Sequence, residues 1–212
     1  MRSDWLPVSA ALLVTGAMAL ALATLVGDSG GSTSETLRSV ENNDGRWLAV
    51  AVIYLLASAC LTLGLPTILY VLQDRSRFLG GLGVISLALG FIGLAGYGML
   101  VTFFRALVIT DAIRGPALRA AAEESGLTVV LYGWVVAFVL GELLVTLALL
   151  RVPEVPRWVP AVLAAHLVAV ALGGVLPDAV TRAAVLLLAL GFAGIAITAA
   201  LPDPHRRSLA RA

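Results

Sequence analysis

Six stretches of about twenty apolar residues dominate this chain, at about 6–26, 47–72, 79–107, 127–150, 158–176 and 180–201. A bilayer's hydrocarbon core is about 30 Å thick, and a helix needs roughly 20 residues to cross it. Inside that core every backbone N–H and C=O must be satisfied by the protein, which leaves only helices and closed barrels. Continuous apolar runs of this length select helices. The expectation is an all-α polytopic membrane helix bundle, six transmembrane helices forming a single domain over residues 1–212. Composition points the same way: 60% of residues are hydrophobic, 13% are charged, and mean hydropathy is +0.99. A soluble domain of this size carries about twice that charge.

The connectors carry helix-end punctuation. "GDSGGSTSETLRSVENNDGR" is polar and Gly-rich, "QDRSR" is a short charged turn, and "RVPEVPRWVP" uses Pro to end one helix and start the next. In "LPDAVTR", Asp178 is placed to cap the last helix, with Arg182 one turn later. The 108–126 loop reads as one short interfacial helix, with Pro116 in its first turn and Gly126 at its end.

All fourteen basic residues are Arg. With Ala, Leu, Val and Gly dominant, the usage is that of a GC-rich bacterial genome. Arg-rich loops stay in the cytoplasm. The N-terminus, the 73–78 and 151–157 turns and the C-tail hold Arg2, Arg75, Arg77, Arg151, Arg157, Arg206, Arg207 and Arg211, against four acids. The other side holds five Arg and eight acids. Both termini are therefore expected in the cytoplasm of a bacterial cell. Arg105 sits near the outer end of the third span and is expected to snorkel to the interface. A competing reading takes the start as a signal peptide cut after Ala21-Leu22-Ala23, although its n-region carries one Arg offset by Asp4 and its apolar run is long for an h-region.

Between lipid-embedded helices, close packing of small residues replaces much of the hydrophobic drive. In "FLGGLGVISLALGFIGLAGYG", Gly83, Ser86, Gly90 and Gly93 fall on one face, with Tyr97 extending it. That stripe suits a helix of the same chain, or a second copy in a homodimer. Pro66 removes a donor and should bend the second span, freeing the Thr62 carbonyl.

The chemically conspicuous residue is Glu142, alone in "VVAFVLGELLVTLALL". It lies about 12 Å in from Leu150 at 1.5 Å per residue. His166 lies equally far from Trp158, and the two spans should pack antiparallel across their short turn. The only ionisable groups deep in the apolar runs thus share one depth. Depth counting adds Thr62, Pro66, Ser86, Gly191 and Gly194, with Thr15 and Thr146 nearby. Trp134, Phe138, Glu142 and Thr146 recur every four residues and share a face. A charged Glu at mid-membrane costs about 2.5–3.5 kcal/mol, so Glu142 is expected to be neutral, paired with His166 or near trapped water. Trp134, Phe138, Glu142, Thr146, His166 and Ser86 are the candidate ligand contacts, and Glu142 and His166 the candidate catalytic pair. The competing reading is an interhelical hydrogen bond that only sets register.

Several chemistries are excluded. Two histidines, one of them His205 in the tail, leave no axial pair for an intramembrane haem. One cysteine, Cys60, permits neither an internal disulfide nor a dithiol relay. No rhomboid-type Ser/His setting, Asp-rich magnesium motif or Walker sequence appears, and neither metal nor cofactor is expected. A net charge of +1 argues against nucleic acid as a partner.

The loop "SETLRSVENNDGRW", the span end "LYVLQDRSRFL" and the hairpin "LALLRVPEVPRWVPAVLAAH" carry a resemblance over most of the chain. In these the chain resembles a bacterial family of small six-span membrane proteins classed as a domain of unknown function. The resemblance implies the six-span fold and a polar position at Gly141-Glu142, and it implies no activity. The third span lacks the charged residue of the family pattern. Three functions remain in view: a protein that binds or helps transport a small apolar ligand, an isoprenoid cyclase or isomerase using Glu142 as acid, and a structural or regulatory partner of another membrane protein.

Overall fold

The computed structural model describes residues 5–27, 33–73, 76–112, 116, 117, 120 and 124–201. Its elements are α1 (Trp5–Val26), α2 (Thr33–Asn42), α3 (Asp44–Leu72), α4 (Arg77–Ile109), α5 (Ser125–Leu149), α6 (Trp158–Ala171), α7 (Asp178–Ala183) and α8 (Val185–Ala200). Among the described residues there is no strand. Five helices are long and apolar enough to cross a membrane: α1, α3, α4, α5 and the α7–α8 pair taken as Asp178–Ala200.

The expected fifth span, 158–176, falls short. Its helix stops at Ala171 after 14 residues, about 21 Å at 1.5 Å per residue, well under the thickness of a bilayer core. The physical reason is "LGGVLP": Gly173, Gly174 and Pro177 end helical propagation. Turn hydrogen bonds from Gly173 to Val170 and from Val175 to Leu172 replace it.

Three other expectations are corrected. The polar first connector contains helix α2, which buries Val40 completely; the Ser-x-x-Glu spacing from Ser32 to Glu35 was its signal. Gly126 does not end a helix but lies in the first turn of α5, which Glu124 caps by accepting from Leu127 N–H at 2.7 Å. Of the expected interfacial helix, residues 116, 117 and 120 are helical, while 113–115, 118, 119 and 121–123 lie outside the described residues, as do Arg2, Arg75 and the tail with His205. Asp178 makes no side-chain cap on α7.

The helices close into a ring: α1 packs on α3, α3 on α4, α4 on α5, α5 on α6, α6 on α8 and α8 back on α1, while α3 also touches α8 across the centre. Leu13, Leu61, Leu87, Phe91, Leu163 and Phe192 fill the middle and are fully buried. The glycine stripe of α4 faces α5 of the same chain, because a Cβ on Gly90 would lie 2.6 Å from Phe138 Cβ and one on Gly83 3.0 Å from Val145. Tyr97 turns toward α3 and meets Tyr54 edge-on at 5.4 Å.

A second close approach joins α1 to α3. A Cβ on Gly64 would sit 2.7 Å from Leu13 Cα, and one on Gly16 would sit 2.7 Å from Leu61 N. Thr67 donates to Ser9 at 2.9 Å and Ser9 to the Leu63 carbonyl at 3.0 Å across the same seam. Helix α3 runs unbroken through Pro66, whose ring faces outward. Arg105 does not snorkel free; it pairs with Asp44 at the start of α3, Nη2 to Oδ2 at 2.7 Å.

Gly64→Ala should cost about 1–3 kcal/mol, the range for overpacking against a backbone that cannot retreat. Gly133→Ala meets nothing within 4 Å and should change stability by no more than about 0.5 kcal/mol. Detergent-titration unfolding of the two variants measures the difference, and equal stabilities would remove Gly64 from the packing account.

The Glu124 cap makes a pH prediction. Hydrogen bonds from the Gly126 and Leu127 backbone N–H groups hold its carboxyl below the usual carboxylate range. A folded pKa below the unfolded one stabilises fully above the unfolded value, and the gain is lost as pH falls through the folded one. Amide-exchange protection in the first turn of α5 should therefore hold from neutral pH down to the ordinary carboxylate value of 4.5 and decline below it. In Glu124→Gln the decline should vanish; its persistence would assign the effect to another group.

Candidate functional site

Helices α5 and α6 share the smallest contact of the ring, and it is here that the acid and the imidazole meet. Glu142 is 1% exposed and His166 5%. His166 Nδ1 lies 2.8 Å from Glu142 Oε1 and 2.9 Å from Oε2. Either the ring N–H donates to both carboxylate oxygens or a protonated carboxyl donates to the bare ring nitrogen. In both cases one proton bridges two helices.

The sequence places the pair there for local reasons. Glu142 follows Gly141, whose bare Cα lets α4 approach; a Cβ would lie 2.5 Å from Leu87 N. One turn earlier, Ser86 of α4 donates to the Ala137 carbonyl of α5 at 2.7 Å. One turn later, Thr146 is buried with no partner for its hydroxyl among the described residues. Gly141 and Ser86 thus tie α5 to α4, and the Glu142–His166 pair ties it to α6.

Trp134 and Phe138, the other two candidates, do something different. They line a cleft of about 540 Å³ between α4 and α5 that also takes in Tyr54, Phe91, Tyr97 and Tyr132. Its floor is the glycine stripe. Gly93 and Gly96 lie directly under the Trp134 ring, and Phe138 packs on Phe91 with ring centroids 6.0 Å apart. Tyr132 and Val135 on the rim are more than half exposed on the outside of the bundle, so the cleft opens sideways, where lipid chains would lie. Glu142, His166, Ser86 and Thr146 are not part of its lining.

The depth layer therefore divides. Gly191 abuts Leu163, and Gly194 abuts Trp158 and Val159, holding α8 to α6. Thr62 donates within its own helix to Ser58 O at 2.8 Å. Thr15 and Pro66 face outward. A one-dimensional depth count finds residues at one level but not those on one side.

Sequence reasoning missed a second cleft, of about 350 Å³, where α1 ends and α3 begins. It is lined by Thr24, Arg46, Trp47, Tyr54, Tyr97, Asp178 and Arg182, among others. Arg46 donates through Nε to the Val26 carbonyl at 2.9 Å and also through Nη2, and Arg182 donates through Nη1 to the Gly27 carbonyl at 2.9 Å. The available signal was that both arginines flank apolar spans on one side, a pattern readable only as charge bias before the ends were brought together. A third cleft, of about 380 Å³, lies at the opposite end between Trp5, Pro66, Tyr70 and Arg77. Among the described residues no group of three His, Cys, Asp or Glu could hold a metal ion.

Fold and site together define an all-helical protein with several helices fit to span a membrane and an aromatic cleft within its ring. No protein-family profile, curated protein or solved structure matches the chain.

The seam makes a mutational prediction. Removing one member of a buried hydrogen-bonded pair leaves the other unsatisfied and costs about 1–3 kcal/mol, more if it stays charged, whereas replacing both by apolar groups of similar shape can be nearly neutral. His166→Leu should thus destabilise strongly, and Glu142→Leu with His166→Leu should recover most of the loss. Unfolding free energies for the two single variants and the double measure the coupling. A double variant as unstable as the sum of the singles would show that the pair does not act as a unit.

Proposed function

We propose that this chain is a multi-pass protein of the bacterial cytoplasmic membrane that binds, or helps to move, a small and largely apolar ligand within its bundle. The observation that carries the proposal is the aromatic cleft between α4 and α5. Its volume lies within the roughly 300–1,000 Å³ of small-molecule sites, and its apolar lining with a few polar groups is the usual character of such sites. The ligand would lie against Trp134 and Phe138 and enter sideways from the acyl chains.

Glu142 and His166 serve this site from one turn away. By closing the α5–α6 seam they set the position of the helix face that presents Phe138 and Trp134. The isoprenoid-enzyme reading needs Glu142 open to substrate, whereas its two oxygens face His166 in a buried seam. The geometry favours binding over acid catalysis.

The same proposal includes six spans, with α6 and its following turn as a short fifth crossing, and both termini in the cytoplasm, as the Arg bias directs. Membership in the six-span family of unknown function is part of it.

A long-chain alcohol bearing a diazirine in its tail tests the binding reading on the full-length protein in lipid nanodiscs. Photolabelling should be saturable, should concentrate on Tyr97, Trp134 and Phe138, and should be competed by the unlabelled alcohol. Phe138→Ala should weaken competition about tenfold, the equivalent of ~1.4 kcal/mol. Unsaturable labelling spread over outward positions such as Ile85 and Ile92 would overturn the proposal.

A further inference from the structure

The aromatic cleft and the arginine cleft are neighbours. Thr24, Tyr54 and Tyr97 line both, so an apolar channel between α4 and α5 runs directly into a polar chamber at one end of the bundle. From this continuity we infer that the ligand is an amphiphile with a phosphate head, its chain against Trp134 and Phe138 and its phosphate between Arg46 and Arg182. The inference rests on the binding reading above and deepens it to a ligand class.

Charge carries the assignment. Among the described residues the chamber's lining holds two guanidiniums and one carboxylate, Asp178. Among the described residues no carboxylate lies within ion-pair distance of Arg46 or Arg182. Instead the two guanidiniums are anchored on the carbonyls of consecutive residues, Val26 and Gly27, and both line this one chamber. Each guanidinium has five N–H donors. The bonds to α1 engage Nε and Nη2 of Arg46 and Nη1 of Arg182, so each side chain retains donors. Paired planar guanidiniums with donors to spare match the several acceptor oxygens of a phosphate.

Lipid, rather than a free anion, follows from the junction. Tyr54 and Tyr97 meet edge-on where the two clefts join. Tyrosine rings with an apolar body and a polar tip suit the boundary between a chain and a head. A soluble anion would leave the larger, apolar cleft without a role.

The test is competition against the diazirine alcohol on the full-length protein in phosphatidylcholine nanodiscs, using lysophosphatidic acid and the monoacylglycerol of the same chain. The phosphate lipid should compete at least tenfold better. Arg46→Gln and Arg182→Gln should each remove most of that preference while competition by the monoacylglycerol stays unchanged. Arg105→Gln, at the same end but engaged with Asp44, should keep it. Equal potency of the two lipids on the unaltered protein would overturn the headgroup assignment and leave the apolar site standing, and this comparison needs no variant to fold. Preference surviving the Arg46→Gln, Arg182→Gln double variant would also overturn it. Inorganic phosphate alone displacing lysophosphatidic acid with the same half-point would reassign the chamber to a free anion. Failure of both lipids and of the alcohol itself would bring down the binding reading and the inference together.

Discussion

Backbone-to-backbone approach at glycine is the constraint on which this bundle depends. For helices apolar enough to lie in lipid, side chains would gain little by moving into a protein interior that is just as oily, so association rests on contact density and polar clips. Gly64 against Leu13 and Gly16 against Leu61 bring α1 onto α3; Gly83, Gly90 and Gly141 bring α4 onto α5; Gly191 and Gly194 bring α8 onto α6. Hydroxyls then bridge the close seams. Ser58 donates to the Phe91 carbonyl at 2.5 Å between α3 and α4, and Ser86 does the same between α4 and α5.

The α5–α6 seam is the exception, and it explains the acid. No glycine of either helix is pressed into that contact, and α6 is a short helix. A buried Glu–His pair supplies a directional bond where contact density is low. Such a pair specifies which faces meet more than it adds net stability, since desolvation offsets much of its attraction. Its functional reach follows from connectivity: α5 is gripped on one side by α4 and on the other by His166, so the aromatic wall on α5 is held from both sides. A cleft between rigidly spaced helices is preorganised, which limits the ordering cost of binding.

Much of this was legible before any tertiary information. Hydropathy and Pro/Gly punctuation located the long helices to within about three residues at most ends, because apolar length and backbone breakers act locally. Depth counting brought Glu142 opposite His166, because a short antiparallel hairpin converts sequence distance directly into height. The same counting failed for Pro66 and Thr15, which share the height but face outward. Hydropathy overran the helix of the fifth apolar stretch, where the average concealed the Gly-Gly-x-x-Pro stop that ends it at Ala171.

By itself the sequence determined the all-helical class and the approximate bounds of the five long apolar helices, which follow from apolar run length and local Pro/Gly punctuation, and it gave the height of Glu142 against His166 from the 1.5 Å rise of a helix. Only the tertiary structure decided which groups share a side. It separated Trp134 and Phe138, which line a cleft, from Glu142 and His166, which close a seam. It also brought Arg46 and Arg182, 136 residues apart in the chain, onto consecutive carbonyls at the end of α1. Azimuth and ring closure arise from how glycine notches and side-chain volumes interlock among six helices at once, and no local pattern encodes that.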